Sequence, residues 1–289
     1  MAHLPVMRDE VLTLLEPCTI RAIFDGTCGA GGHAQAALQA HPEIERYFAC
    51  DQDTQALDMA RAALALFGSK VTFHHSNFSA PPADALSLDG ILLDLGVSSM
   101  QLDTPERGFS FMREGPLDMR MDTESELTAD EIVNRWDRMS LERLFQEYGE
   151  ERGARKAAEA IVRARSRRPF TTTIELADAL ARVLPRRGKA HPATKIFQAI
   201  RIAVNRELEL LKMAIPLLAQ RLAPNGRFLI ITFHSLEDRI VKEGFRHLVQ
   251  TNDFSVVVKK PLVPSRKEIY HNPRARSAKL RAIVKGGSL

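Results

Sequence analysis

The stretch from Phe24 to His33, Phe-Asp-Gly-Thr-Cys-Gly-Ala-Gly-Gly-His, restricts what this chain can fold into more than any other. It follows a short apolar run, Ala22-Ile23-Phe24, and leads into an Ala/Leu-rich helical run from Ala34 to Ala40. The order is strand, glycine-rich turn, helix. A turn containing Gly26, Gly29, Gly31 and Gly32 can bend tightly and bring its backbone close to a ligand. The helix that opens there points N–H groups and the positive end of its dipole at that ligand. Asp51 ends the next apolar run, Tyr47-Phe48-Ala49-Cys50. An acid about 20 residues beyond such a turn is placed to accept hydrogen bonds from ribose hydroxyls.

The pattern points to a nucleoside-containing cofactor, although glycines also serve turns that bind nothing. It fits the dinucleotide fingerprint poorly. Asp25 directly precedes the first glycine, where an anionic pyrophosphate would be repelled. S-adenosylmethionine carries a sulfonium and an amino group, and suits an acid-lined turn better than NAD does.

Residues 22–96 alternate strand-like and helical runs. The strands read as Ala22–Asp25, Tyr47–Asp51, Val71–His75 and Gly90–Leu95, and the helices as His33–Ala40 and Thr54–Phe67. Such alternation predicts a parallel sheet with helices on both faces, its ligand beyond the carboxyl ends of the strands. Asp25 with its glycines, Asp51, Asn77-Phe78 and Asp94 with Gly96-Val97-Ser98-Ser99 all fall at that edge. From about Gln101 the character changes. Residues 101–123 are rich in Gly, Pro, Met and charge and read as a long loop of the kind that often carries function. Helical patterns follow over Thr128–Trp136, Ser140–Tyr148, Arg152–Ser166 and Thr173–Leu184, with no strand signal between 105 and 195. Thr128 with Glu131 reads as a capping box. Thr194–Leu222 reads as one long helix bent at Pro216, Ala223–Gly226 as a turn and Arg227–Phe233 as a buried strand. A helix capped by Ser235 comes next, and Phe254–Val258 with Lys279–Val284 form a closing antiparallel pair. The expected organisation is an α/β domain over residues 1–104 and 196–289, interrupted by an all-helical domain over 105–195.

Charge narrows the partner. The net charge is only +4, from 40 basic and 36 acidic residues, so distribution matters more than sum. Seven basic residues lie between Arg152 and Arg168 against Glu159 alone, five between Arg182 and Lys195 against none, and nine between Lys259 and Lys285 against Glu268. Each run can be a solvated face. Three together favour a polyanion, RNA or DNA, with Phe170 and Tyr270 as candidates for stacking on bases. No apolar run approaches the roughly 18 residues of a membrane span, and the first residues carry no apolar signal region, so a cytoplasmic protein is expected. Three cysteines without paired spacing fit a reducing compartment and are too few for a four-ligand zinc site.

A cationic methyl donor beside a basic surface suggests a nucleic-acid methyltransferase. Transfer to nitrogen needs neither metal nor covalent enzyme intermediate, and no metal site is expected. Exocyclic amines are weak nucleophiles, and an enzyme helps by orienting them with a carboxylate and excluding water. Asp94, ending the fourth strand, is the candidate for that role; it can equally cap a turn or touch the cofactor. Methylation at pyrimidine carbon-5 would need a nucleophilic cysteine, and none lies near the fourth strand. His33 and His234 read as positioning or structural groups rather than general bases.

Six blocks carry a resemblance: Asp25 to His33, Asp89 to Ser99, Glu106 to Asp122, Tyr148 to Arg152, Phe233 to Lys242 and Asn272 to Ser277. With the opening His3 to Met7 they resemble the bacterial 16S rRNA cytosine-N4 methyltransferase family, RsmH or MraW, over nearly the whole chain. The resemblance implies a class I, Rossmann-like S-adenosylmethionine-dependent methyltransferase sheet with an inserted all-helical, substrate-recognition domain. It implies N4-methylation of a cytidine in the decoding region of 16S rRNA, with the 30S subunit as partner. It places cofactor contacts at Gly31, Gly32, His33, Asp51, Phe78, Asp94 and Gln101. It leaves oligomeric state open, a homodimer included. Two departures stand out: Cys28 where a bulkier aromatic is common, and Met100 where proline is common, which would hold Gln101 less rigidly. The segment between Gln250 and Tyr270 is short for the family. A DNA amino-methyltransferase is the runner-up, but its acid-Pro-Pro-aromatic block is absent; Asp94-Leu-Gly-Val stands there instead. A dehydrogenase and a non-catalytic RNA-binding protein are the remaining readings.

Overall fold

The computed structural model of the protein describes residues 5–16, 19–186, 188, 190–251 and 253–286. The chain divides into two compact units, residues 1–96 with 208–289 and residues 97–207. In chain order the first part of unit one runs α1 (Arg8–Leu15), β1 (Ala22–Asp25), α2 (Gly32–Ala40), β2 (Arg46–Asp51), α3 (Thr54–Ala63), β3 (Val71–His75) and β4 (Leu88–Asp94). Unit two contributes α4 (Ser99–Asp103), α5 (Ala129–Arg135), α6 (Arg138–Glu147), α7 (Ala154–Arg165), α8 (Thr173–Ala181) and α9 (Thr194–Val204). Unit one then resumes with α10 (Glu207–Gln220), β5 (Leu222–Thr232), α11 (Ser235–Gln250), β6 (Phe254–Val256), α12 (Arg266–His271) and β7 (Lys279–Lys285).

The seven strands form one sheet in the order β3-β2-β1-β4-β5-β7-β6. The five strands from β3 to β5 are parallel, while β7 pairs antiparallel with both β5 and β6. Period-2 alternation divides each strand between two apolar layers. Ile23, Tyr47, Ala49, Leu92, Leu229 and Ile231 pack on the α1 and α2 side with Val11, Leu15, Ala34 and Leu38. Phe24, Phe48, Ile91, Leu93, Phe228 and Ile230 pack on the other side with Leu211, Ile215 and Leu218 of α10 and Val241 and Phe245 of α11. With both faces covered, the central strands read as unbroken apolar runs. Replacing the fully buried Phe24 by Ala costs about 3–5 kcal/mol by the usual core penalty. The order reverses at β1, whose two neighbours β2 and β4 lie on opposite sides, and the crevice for a ligand in such sheets lies there.

Unit two has its own core. Ile132, Leu141, Phe145, Ala157, Ile161, Leu176, Leu180, Ile196, Phe197 and Ile200 meet in it. No strand occurs among its described residues; the nearest approach is an isolated bridge between Pro116 and Thr172. The loop over 101–123 is tightly organised. Buried Arg107 donates to the carbonyls of Arg120 and Met121, and Arg120 pairs with Asp118 at 2.7 Å.

Several sequence expectations shift. The unit boundaries fall at 96/97 and 207/208 rather than at 104/105 and 195/196, because α9 buries Ile196, Phe197, Ile200 and Val204 in the core of unit two. The predicted single helix over Thr194–Leu222 is two helices broken at Asn205-Arg206, where Arg206 takes φ 49°. Asn205 closes α9 because its side chain is claimed elsewhere, accepting from Met121 N–H and donating to Met119 C=O. Residues 223–226 bulge out of β5: Leu222 pairs with Leu88 and Arg227 with Gly90. The N-cap of α11 is His234, not Ser235; its ring accepts from Glu237 N–H while Glu237 accepts from His234 N–H. Thr128 caps α5 through the Glu131 N–H, without a return bond from the Glu131 side chain. The capping box belongs to Thr172 with Glu175 at α8.

Candidate functional site

The carboxyl ends of β1, β2 and β4 carry Asp25, Asp51 and Asp94, and the glycine-rich turn leaves β1 among them. Short backbone bonds stitch this edge together. Gly26 N–H donates to Leu92 C=O and Cys28 N–H to Cys50 C=O. Asp94 N–H donates to Thr27 Oγ1 at 2.6 Å. The glycines are required where space or conformation demands them. A Cβ at Gly26 would lie 2.5 Å from Leu93 Cδ2 and 2.7 Å from Phe78 Cβ. Gly31 takes φ 86° as N-cap of α2. No side chain caps that helix, so its first-turn N–H groups stay available to an anionic group of a ligand.

Asp25 is buried, accepting from Tyr47 Oη at 2.9 Å and from Thr27 N–H at 3.2 Å. Burial pushes its carboxyl up to about 6, against the lowering effect of His33 and its two hydrogen bonds. Asp51 accepts from Gly29 N–H at 2.8 Å and from Asp53 N–H at 2.9 Å. Burial raises it to about 6 as well, against the lowering effect of those hydrogen bonds. Each of its oxygens keeps a lone pair for a further donor such as a ribose hydroxyl. Buried His33, in the first turn of α2, brings Nε2 to 3.5 Å from Asp94 Oδ2, beyond hydrogen-bond distance. Both His33 Nε2 and Asp94 Oδ1 are buried without a hydrogen-bond partner among the described residues. Buried polar atoms left in this way are costly, and two at one edge mark a place built for a polar ligand. The orphaned pair, the uncapped α2 N-terminus and the acidic lining fit S-adenosylmethionine, which combines a carboxylate, cationic centres and ribose hydroxyls.

Cys28 and Cys50 are poor candidates for nucleophiles. Burial drives the Cys28 thiol well above its ordinary value and pushes Cys50 up to about 12, so both stay neutral. Cys28 itself is buried against the α1 and α2 layer, a position that accommodates its small side chain.

Six of the seven sequence-predicted cofactor residues, Gly31, Gly32, His33, Asp51, Phe78 and Asp94, fall in unit one. Phe78 is buried beside Gly26. Gln101 belongs to unit two, in α4. It is held by a reciprocal capping box: Gln101 N–H donates to Ser98 Oγ and Gln101 Oε1 accepts from Ser98 N–H. Of the two stacking candidates, Phe170 is buried in the core of unit two and is excluded, whereas Tyr270 is 83% exposed. The sequence places Asp25 at the ligand edge, directly before Gly26, although it is not among the cofactor contacts that the resemblance implies.

Comparison with known proteins shows the family. The chain matches the description MraW methylase family over residues 1–286. It is 47% identical to the Ribosomal RNA small subunit methyltransferase H of Trichormus variabilis over 287 residues, 98% of this chain and 92% of that one. The protein of the same name from Nostoc sp. is 48% identical over 287 residues, covering 98% and 93%. That of Geobacter sp. strain M21 is 44% identical over 307 residues, covering 98% of each. The chain belongs to the MraW methylase family.

Proposed function

We propose that this protein transfers a methyl group from S-adenosylmethionine to the N4 amine of a cytidine in the decoding region of 16S rRNA, on the 30S subunit. It is an S-adenosylmethionine-dependent methyltransferase of small-subunit rRNA, as its family membership and the names of its relatives indicate. The observation that carries the finer reading is the pair of orphaned buried atoms, His33 Nε2 and Asp94 Oδ1, at an acid-lined strand edge. When bound, the cofactor supplies an electrophilic methyl on a sulfonium. Asp51 would hold the ribose, the N–H groups at Gly32 and His33 would meet the carboxylate, and Phe78 would form an apolar wall for the adenine. Asp94 would orient the acceptor amine by taking a hydrogen bond from it. Cys28 and Cys50 being neutral thiols agrees with attack by nitrogen rather than carbon-5 chemistry. Unit two serves substrate recognition. No helix among the described residues is long and apolar enough to cross a membrane, and a cytoplasmic site of action is proposed with the rRNA substrate.

The test is transfer of labelled methyl from S-adenosylmethionine to 30S subunits taken from a strain deleted for its own enzyme, with mass spectrometry of the nucleosides. N4-methylated cytidine is expected. Label in DNA or tRNA alone would overturn the substrate assignment, and label on carbon-5 would overturn the mechanism.

A further inference from the structure

Both units pair some of their basic residues: Arg155 with Glu159 and Arg168 with Glu175 at the surface of unit two, and Lys279 and Arg281 with Asp238 in the C-terminal run. In the C-terminal run Lys259, Lys260, Arg266, Lys267, Arg274 and Arg276 are all exposed. The single acid of that run does not offset them at the surface. Glu268 is turned inward, where its Oε1 accepts from Met7 N–H at 2.7 Å. Burial raises its carboxyl above the ordinary value, opposed mainly by that hydrogen bond.

At the centre of this run sits Tyr270, 83% exposed, its ring edge-on to His271 at 5.3 Å. Its helix is short but held at both ends. Ser265 caps α12 by accepting from Glu268 N–H, and Asn272 N–H closes it on Glu268 C=O at 2.7 Å. Beyond it Ala275 and Ala278 are buried in the α1 and α2 layer of the sheet. An aromatic ring of this size, fully presented on an anchored support, has no packing role that explains its exposure. The same anchor ties α12 to the cofactor edge within unit one. Glu268 holds Met7, and Pro5, two residues before, lies 3.4 Å from where a Cβ at Gly32 would sit.

We propose that Tyr270 is a stacking platform for an unpaired base of the RNA substrate, with the flanking Arg266 and Lys267 on phosphates, bordering the cofactor edge. The inference rests on the rRNA methyltransferase reading and adds to it a contact residue and the form of substrate contacted, single-stranded RNA. Base–aromatic stacking is tolerant of sequence, and alternating ring and cations suit a backbone-tracking groove.

Two readouts separate this proposal from the functional reading. The first is methyl-transfer kinetics on unmodified 30S subunits at saturating S-adenosylmethionine. The second is anisotropy of a labelled single-stranded oligoribonucleotide, which needs no turnover. Tyr270→Ala is expected to raise the KM for 30S and weaken oligonucleotide binding by about 5- to 100-fold, the loss of one stacked base. Tyr270→Phe should restore both, since stacking uses the ring and not the hydroxyl. Cofactor affinity and the melting temperature should stay at wild-type values, because the side chain is exposed. Replacing Arg266 and Lys267 by Ala should lower the salt dependence of oligonucleotide binding by about 0.7 in log–log slope for each phosphate no longer neutralised. Wild-type oligonucleotide binding and wild-type KM in Tyr270→Ala would overturn the proposal. Oligonucleotide binding that depends on Tyr270, in a protein that methylates no 30S subunit, would uphold it and overturn the substrate reading instead.

Discussion

Replacing Asp25 by Asn removes a charge that burial makes expensive, and the cost can be read from pH. The Asp25 carboxyl titrates near 6 in the folded chain against an ordinary 3.8. A carboxyl raised by folding binds protons more tightly in the native state, so its contribution to stability is fully present below about 3.8 and is lost as pH rises through about 6. Between pH 4.5 and pH 8 the wild-type chain loses about 2 kcal/mol on this account, by the linkage relation with those two values. Asn cannot titrate and loses nothing. Loss of one acceptor bond, from Tyr47 or Thr27, shifts the variant by a roughly constant amount at both pH values, so it does not obscure the difference. Urea unfolding of both proteins at pH 4.5 and pH 8 is the assay. The variant should gain about 2 kcal/mol relative to wild type as pH rises. A stability difference independent of pH would refute this reasoning, and would mean that Asp25 is held by its hydrogen bonds and carries no buried-charge penalty. The same charge attracts a cationic cofactor. Wild-type affinity for S-adenosylmethionine should rise about tenfold from pH 5 to pH 7 as a group titrating near 6 ionises, and calorimetry should find that dependence reduced in Asp25→Asn.

Asp51→Ala removes the acceptor of two backbone N–H groups and the ribose partner, so cofactor affinity measured by calorimetry should fall about 10- to 100-fold; unchanged affinity would remove Asp51 from the site. Gly31→Ala puts a methyl group 3.3 Å from Leu64 on a backbone with φ +86°, and should destabilise by about 1–2 kcal/mol in urea unfolding while weakening cofactor binding. Asp94→Ala should lower kcat about 100-fold with folding retained, since its backbone bond to Thr27 survives the change; normal turnover would sink its assignment.

The α/β framework is legible in the sequence because both faces of the central sheet are covered. Ile23-Phe24 and Tyr47-Phe48-Ala49-Cys50 must be apolar at every position, and such runs between helical stretches have few readings. What escaped reading is set by distant partners. The break at Asn205 is set by its bonds to Met119 and Met121, more than 80 residues away, together with a local bond to Arg201 C=O, and no glycine or proline in Val204-Asn-Arg-Glu207 marks it. The cap of α11 was misplaced by one residue because His234 fills a role usually held by Ser, Thr, Asp or Asn, and a serine stands next to it. Phe170 and Tyr270 look alike in sequence, each an aromatic beside basic residues. Only packing separates them, one in the core of unit two and the other almost wholly in solvent.

The candidate site stands out in the sequence for a different reason: its acids are concentrated at one sheet edge and are residues that the fold alone would not choose. Asp25, Asp51 and Asp94 end three strands that are neighbours in space, β2-β1-β4, and burial already works against the charges of the first two. Asp25 and Asp51 also repel one another, which raises Asp25 further. A chain selected for stability alone would place Asn or Thr at these positions. Retaining carboxylates there is explained by a ligand that brings positive charge, since its arrival relieves desolvation and repulsion together. This is why the acid before the first glycine separates a sulfonium donor from a pyrophosphate. The electrostatics also favour one direction of exchange. Methyl transfer turns a cationic sulfur into a neutral one, so if the proposed site holds the cofactor, its carboxylates should bind the donor more tightly than the demethylated product, and calorimetry with both ligands should show that preference reduced in Asp25→Asn.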